Sequence, residues 1–406
     1  MRTPLLVISL GLLLVGAAPA LDSLNVRLVG HCSTPDVAQG VAAMASYAYV
    51  ADLDSGLRVI SVADPAHPTE VGHCATPGRA WRVAVSGSYA YVADRPGGLC
   101  VISIADPVHP VEVGNCDSTL NAVGVAVSGD HAYLAGGDSG LRVISITDPA
   151  HPVEVGYFDT PGNANDVAVD GDLAYVAGGD SGLRVISVAN PAHPVEVGFC
   201  VTLGEGLSVT VNGEYADYSD GGSGLRVISV ADSAHPVELG HWGPGYPNYV
   251  RAAAVIGDFA YAASDMSPVR VISIADPANP VEVGYYNSGA LALGVAVAGD
   301  YAYAALSAGG LLIFQYYGGG VEEEPSAELR TASRMPTVAH GALFVPEATG
   351  QKPQAASLMD AAGRKVMDLH PGANDVRALA PGVYFVRGEG RGIGDEGPIR
   401  KVVVTR

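Results

Sequence analysis

The sequence predicts an all-β protein: a seven-bladed β-propeller of four-stranded blades closed by the N-terminal strand, followed by a small C-terminal β-sandwich. Three observations carry that prediction. Gly 52 and Pro 27 together make 79 of the 406 residues and are dispersed along the chain, which implies many turns and few long helices. The segment Gly56-Leu57-Arg58-Val59-Ile60-Ser61 recurs with its leading apolar residue at Leu57, Leu99, Leu141, Leu183, Leu225, Val269 and Leu311, in steps of 42, 42, 42, 42, 44 and 42. The two ends of this repeat array are fragments that complete each other. With 48% apolar and only 16% charged residues, the chain has the material for packed cores rather than for disorder.

The elements follow in order. Residues 1–20 read as a secretory signal peptide, because Met1 and Arg2 precede an apolar run and Ala18-Pro19-Ala20 fits the small-x-small cleavage rule. The mature chain is expected to begin at Leu21. The run is short for a bilayer span and lacks basic stop-transfer residues, which disfavours a membrane anchor. No later stretch is apolar for long enough to cross a bilayer, since Gly, Pro and Asp interrupt each one.

Residues 21–317 form the propeller. One period holds four extended segments, as at 83–85, 89–93, 99–104 and 111–114. Ser86-Gly87-Ser88, Ser128-Gly129-Asp130 and Asp170-Gly171-Asp172 suit tight hairpins, because Gly, Asn and Asp tolerate positive φ. Asp64-Pro65-Ala66-His67-Pro68, with counterparts starting at Asp106, Asp148, Asn190 and Asp276, supplies a longer turn where proline fixes φ and ends the ladder. An apolar residue before glycine, at Val29, Val71, Val113, Val155, Val197, Leu239 and Val283, marks the fourth strand. Strands such as 57–62 and 125–127 are mostly apolar on both faces, as expected of a sheet covered on either side. A period in the low forties with four strands per unit is the signature of a propeller. An open solenoid is the alternative, and the ends decide. Residues 26–30 carry only the fourth-strand marker, whereas the last repeat stops after its third strand at 311–316, so pairing them closes the ring and removes exposed sheet edges.

The unit Leu141-Arg142-Val143-Ile144-Ser145-Ile146-Thr147-Asp148-Pro149, with Pro152-Val153-Glu154-Val155-Gly156, Asp166-Val167-Ala168-Val169 and Ala174-Tyr175-Val176-Ala177, resembles the LVIVD repeat of bacterial and archaeal surface and secreted proteins. The resemblance covers residues 26–317 and implies a propeller with no common assigned activity. The chain departs from it at Ser61, Ser103, Ser145, Ser187, Ser229 and Ser273, where the family often has Asp, so no carboxylate role transfers to that position.

Residues 318–325, with Gly318-Gly319-Gly320 and Glu322-Glu323-Glu324-Pro325, read as a flexible acidic linker. Beyond it, residues 326–406 alternate apolar strands and turn residues, as in a small β-sandwich. The turn from Asp360 to Gly363-Arg364, the strand Pro381-Gly382-Val383-Tyr384 and the basic-apolar end Arg400-Lys401-Val402-Val403-Val404 are similar to the type A C-terminal sorting domain of the type IX secretion system. That resemblance implies passage through the outer membrane, removal of the domain, and release or attachment at the cell surface. The plainer alternative is an immunoglobulin-like accessory domain with no export role.

Lys+Arg 22 against Asp+Glu 42 leaves a net charge of −20, a field that repels phosphate backbones and anionic lipid headgroups. Nucleic acid is therefore not an expected partner. The sequence has no H-E-x-x-H, G-x-S-x-G or Walker pattern, and the string Gly178-Gly179-Asp180-Ser181-Gly182 lacks the lysine of a phosphate cradle. His67, His109, His151, His193 and His235 share one repeat position on different blades and read as turn residues rather than metal ligands. Asp52 and Asp54, or Asp138, Asp180 and Asp220, offer oxygen ligands to Ca²⁺, but without the dense spacing of a calcium loop solvated Asx turns are favoured. No metal, cofactor or catalytic residue is assigned. Cys32, Cys74, Cys116 and Cys200 also share one repeat position. Cys100 is expected nearly opposite Cys116 across a third-to-fourth strand pair, and buried free thiols are preferred to a bridge there.

Function is expected on the face built by the second-to-third and fourth-to-first connections, where the units differ while the strands repeat. Those loops hold Arg79, Trp81 and Arg82 in one unit, Asn163, Asn165 and Asp166 in another, and Trp242, Tyr246, Tyr249 and Arg251 in the unit with two extra residues. Aromatics beside amides and charges suit carbohydrate or protein surfaces. Trp81 and Trp242 would serve equally well as plugs between blades. The sequence thus predicts an exported, non-catalytic binding or scaffolding propeller, with an extracellular glycan or protein as partner and the secretion machinery engaging the C-terminal domain. The alternative is a propeller enzyme, a lyase or hydrolase of an extracellular polymer, which a titratable cluster around Arg82 and Asp166 would favour.

Overall fold

A computed structural model describes residues 23–317 except 118–120, 244, 246–247, 266–268 and 288–289, together with the backbone of seven strands between residues 338 and 404. The chain divides into two compact units, Met1–Gly319 and Gly320–Arg406.

In the first unit seven antiparallel sheets follow one another as blades. Blade 1 comprises Gly40–Met44, Tyr47–Ala51, Leu57–Ser61 and Thr69–Cys74, from inner to outer strand. Blades 2 to 6 repeat that order from the inner strands Arg79–Ser86, Gly124–Ser128, Asp166–Asp170, Ser208–Asn212 and Val250–Ile256. Blade 7 takes Ala292–Ala298, Tyr301–Leu306 and Gly310–Tyr316 from the end of the array and its outer strand, Val26–Cys32, from the start. The register runs from Val26 opposite Tyr316 to Cys32 opposite Leu311, so the two terminal fragments close the ring as the sequence predicts. A further short strand, Ser23–Leu24, adds a fifth strand to blade 6 by pairing with Val281–Tyr286, which the repeat pattern did not reveal.

The core lies between blades. Seven apolar clusters each join neighbouring blades, as where Tyr49, Leu57 and Val59 of blade 1 meet Val92, Cys100 and Ile102 of blade 2. Val50 and Ile60 meet Tyr303, Leu311 and Ile313 across the seam between blades 7 and 1. Because successive strand residues face opposite neighbours, the second and third strands must be apolar on both faces, and each fully buried Leu or Ile contributes roughly 1.5–3 kcal/mol.

The repeat markers have steric causes. The glycine before the marker leucine adopts left-handed backbone, with φ of +71° at Gly140 and +79° at Gly182, and a Cβ there would strike the end of the outer strand. The glycine of the fourth-strand marker sits at a bulge against the proline turn of the next blade: a Cβ on Gly114 would meet the Pro149 carbonyl oxygen well inside contact distance. In that turn Asp64 accepts hydrogen bonds from the Ala66 amide at 3.1 Å and His67 Nδ1 at 2.9 Å, and Asp106–His109, Asp148–His151 and Asp232–His235 repeat the arrangement. The repeated histidines are turn residues on separate blades.

The bulge between Glu112 and Gly114 also corrects the expected cysteine register. Cys100 lies opposite Asn115, and Cys116 lies opposite Leu99. Cys100 therefore packs between blades 1 and 2 while Cys116 packs between blades 2 and 3, and all five cysteines are free thiols.

In the second unit, Val338–Ala339, Ala342–Val345 and Gly372–Asp375 form one antiparallel sheet, and Lys365–Leu369, Ala356–Met359, Gly382–Gly388 and Ile399–Val404 form another, in those orders. The leader over 1–20, the linker over 318–325 and the turn over 360–364 lie outside the described residues. No helix of the described residues is long and apolar enough to cross a membrane.

Candidate functional site

The seven inner strands enclose a channel of about 480 Å³. Because the repeat phase is kept, their residues stack in rings. The first ring, at the mouth, is Gln39, Trp81, Val123, Asn165, Leu207, Arg251 and Leu293. The second is Gly40, Arg82, Gly124, Asp166, Ser208, Ala252 and Gly294, and deeper rings are almost entirely valine and alanine. Arg82 and Asp166 are thus the charged pair of the described channel lining.

Both side chains are fixed to neighbouring strands. Arg82 of blade 2 donates through Nη1 to the carbonyls of Gln39 at 2.9 Å and Leu293 at 3.1 Å, spanning blades 1 and 7. Asp166 of blade 4 accepts from the Ser208 hydroxyl at 2.7 Å and the Val209 amide at 3.3 Å, both of blade 5. Glycines make the space: a Cβ on Gly294 would sit 2.9 Å from Arg82 Nη1, and one on Gly124 2.9 Å from Asp166 Oδ1. Burial pushes the Asp166 carboxyl up and the Arg82 guanidinium down, while their mutual attraction across the channel opposes both shifts.

At the rim a smaller pocket of about 190 Å³ is lined by Gln39, Trp81, Arg82, Arg95, Asn165 and Arg251, among others. The loops that build it are held together by bridges between the second-to-third connection of one blade and the entry to the next, at Leu53–Ala80, Gly137–Ala164, Gly179–Gly206 and Gly221–Val250. The Arg95 guanidinium lies 5.0 Å from the Trp81 ring centroid, and its Nε donates to Asn121 Oδ1 at 3.2 Å. Arg251 pairs with Asp265 at 2.5 Å, and Arg79 with Asp54 at 2.9 Å. Asn165 donates through Nδ2 to the Gly206 carbonyl at 2.7 Å.

Of the residues singled out from sequence, the structure brings Trp81, Arg82, Asn165, Asp166 and Arg251 to the channel, with Arg79 beginning the same inner strand as Trp81. Tyr249 lies apart from the pocket lining, its ring over Gly221 and Gly222 of blade 5. Trp242 ends the outer strand of blade 5, where it packs among the blade 5–6 cluster and faces Arg270, away from the mouth. Its repeat phase, shared with Cys200, signalled that position. Tyr246 is outside the described residues. Gln39 and Arg95 were missed, although Gln39 lies 42 residues before Trp81 and so shares its ring.

The acidic loops are engaged structurally. Buried Asp52 accepts from the Thr34 hydroxyl at 2.6 Å and the Asp36 amide at 3.0 Å. Asp94 does the same with Thr76 and Gly78, and Asp220 with Thr202, Gly204 and, at 2.5 Å, Arg226. These contacts lock the entry to a blade onto the loop within it. Asp138 and Asp180 are exposed, and the described residues contain no group of three or more His, Cys, Asp or Glu placed to hold a metal.

Comparison with known proteins bears on the fold. The LVIVD repeat matches at residues 37–76, 77–118, 121–160, 161–202, 204–242, 248–288 and 290–314. No curated protein matches the chain. Among solved structures, it is similar to the computationally designed Ika8 protein, at 9% identity over 71% of this chain and 99% of that one, with a TM-score of 0.53. It is also similar to U3-55K, at 13% identity over 71% and 98% with a TM-score of 0.56, and to the WD40 repeats of RRP9, at 14% over 74% and 99% with a TM-score of 0.56. At such identities the likeness is one of fold.

Proposed function

We propose that this chain, which belongs to the LVIVD-repeat family, is a non-catalytic binding or scaffolding propeller that is exported and offers the loop-bearing mouth of its channel to an extracellular glycan or protein. The observation that carries this reading is the rim itself. It gathers an aromatic ring, two amides and three guanidinium groups into one concavity on strands that otherwise repeat. Export is supported by the leader-like residues 1–20, and delivery through an outer membrane by the resemblance of residues 326–406 to a type IX sorting domain.

The enzymatic reading, a lyase or hydrolase of an extracellular polymer, has one observation in its favour: Arg82 and Asp166 share a ring of the channel. Against it, each is committed to hydrogen bonds that tie strands together, and below the mouth the described channel lining adds only valine, alanine, serine and threonine to them. A general acid–base mechanism requires groups free to exchange protons with a substrate.

The deciding experiment incubates the purified protein with a panel of cell-wall and environmental polysaccharides and reads retention and fragment release together. Retention without fragments is the expected result. Fragments that survive repurification and vanish in Arg82→Ala or Asp166→Ala would replace the binding reading with the enzymatic one.

A further inference from the structure

Residues 21–317 contain ten arginines and no lysine against 31 acidic residues, a balance of −21, so the placement of each cation matters. Arg58, Arg142, Arg184, Arg226 and Arg270 occupy one repeat position in the third strand and pair with Glu70, Glu154, Glu196, Glu238 and Glu282 of the adjoining outer strand at 2.7–3.5 Å. Arg27 bonds Gln315 on the closing strand. Of the remaining four, Arg82, Arg95 and Arg251 line the pocket at the channel mouth, and Arg79 pairs with Asp54. A strongly acidic propeller thus places three of the four arginines not used between its strands at one end of its channel.

Two of these four have no carboxylate within ion-pair distance among the described residues. Arg82 uses only Nη1, and Arg95 only Nε, in intramolecular hydrogen bonds. Their remaining nitrogens make no hydrogen bond within the described residues, and both side chains line the pocket. A guanidinium edge with free donors binds a carboxylate or sulfate through paired, charge-assisted hydrogen bonds. Gln39 and Asn165 add amide groups suited to hydroxyls, Trp81 adds an aromatic wall, and about 190 Å³ is room for a single ring-sized unit.

We infer that the pocket receives an acidic sugar unit, carboxylated or sulfated, from an extracellular polysaccharide. The inference rests on reading the propeller as a binding module and names the class of ligand for that site. Arg82 and Arg95 grip the anionic group, Arg251, already paired with Asp265, lines the same pocket as a secondary contact, and the amides orient the ring.

The test titrates the purified full chain with oligogalacturonate, sulfated dextran oligomers, neutral dextran oligomers and polyglutamate by calorimetry. An acidic oligosaccharide is expected to bind at least tenfold more tightly than neutral dextran, with affinity falling as salt rises; which acidic probe wins tells carboxylate from sulfate. Because Arg82→Ala removes contacts to two blades and risks the fold, Arg95→Gln and Arg251→Gln carry the test. Arg95→Gln is expected to lose at least tenfold in affinity and Arg251→Gln less, while Arg27→Gln, with the same charge change elsewhere, binds as the unaltered protein does. Equal binding of neutral and acidic oligomers, an Arg95→Gln variant with undiminished affinity, or no binding of any oligosaccharide would overturn the inference. Polyglutamate bound in preference to the acidic glycans would overturn the glycan class. Retention on neutral polymers alone would leave the binding reading standing, whereas fragment release would sink that reading itself.

Discussion

Asp217 occupies the second-strand position held by Tyr49, Tyr91, Tyr133, Tyr175, Tyr261 and Tyr303 in the other six blades. It is fully buried, and neither carboxylate oxygen has a hydrogen-bond partner, so burial raises its pKa to about 7. The sign of the effect follows. Well below the ordinary aspartate pKa of 3.8 the carboxyl is neutral in both folded and unfolded chains and carries no ionisation penalty. As pH rises towards 7 the unfolded chain ionises first, and folding loses stability progressively, by about 4 kcal/mol once the folded carboxyl also ionises. Asp217→Asn removes the ionisation but not the buried polar group, so its stability relative to the unaltered protein is expected to rise between pH 4.5 and pH 8. Urea denaturation at those two values checks it, and a difference independent of pH would mean that Asp217 already has a partner in solution. This residue was legible as a break in the repeat. What the sequence could not convey was that neither carboxylate oxygen finds a hydrogen-bond partner there.

Strands and turns were largely legible because each blade solves the same packing problem, so the same residues return every 42 or 44 positions. The rings of the channel were only partly legible. Arg82 and Asp166 stood out by charge, but Gln39 and Arg95 became part of the site only when inner strands from distant repeats met around one axis. The cysteine register failed for a local reason, a bulge that spacing alone does not announce. Two contrasts test the steric account of the elements. Gly129→Ala places a methyl in open space at φ +55° and is expected to cost about 1 kcal/mol, whereas Gly114→Ala drives a methyl into the Pro149 carbonyl and should cost about 3 kcal/mol. Thermal unfolding of both variants decides, and equal losses would remove the close approach as the reason for the fourth-strand glycine. Likewise Thr202→Val leaves one oxygen of buried Asp220 without its hydroxyl donor and is expected to cost about 1–2 kcal/mol, while an unchanged Tm would show that the Gly204 amide and Arg226 suffice.

At the scale of the molecule the decisive element is the outer strand of blade 7, because it pairs the start of the array with its last strand along its whole length. Its removal would expose the unpaired edge of Gly310–Tyr316 and uncover Phe314 and Ile313, which are fully buried in the closed ring. An open array cannot bury that edge within one chain, so two chains would be driven to pair edge to edge. Export and closure are compatible: cleavage after Ala20 would leave the mature chain starting two residues before Ser23, with both N-terminal strands intact. Deleting residues 23–32 is therefore expected to lower the Tm by more than any substitution above and to produce concentration-dependent self-association in light scattering. Adding the excised segment as a free peptide should restore a monomer, because the pairing from Val26–Tyr316 to Cys32–Leu311 needs no covalent link to form. A truncated chain that stayed monomeric with an unchanged Tm would mean that the blade 7–1 cluster, and not the closing strand, holds the ring shut.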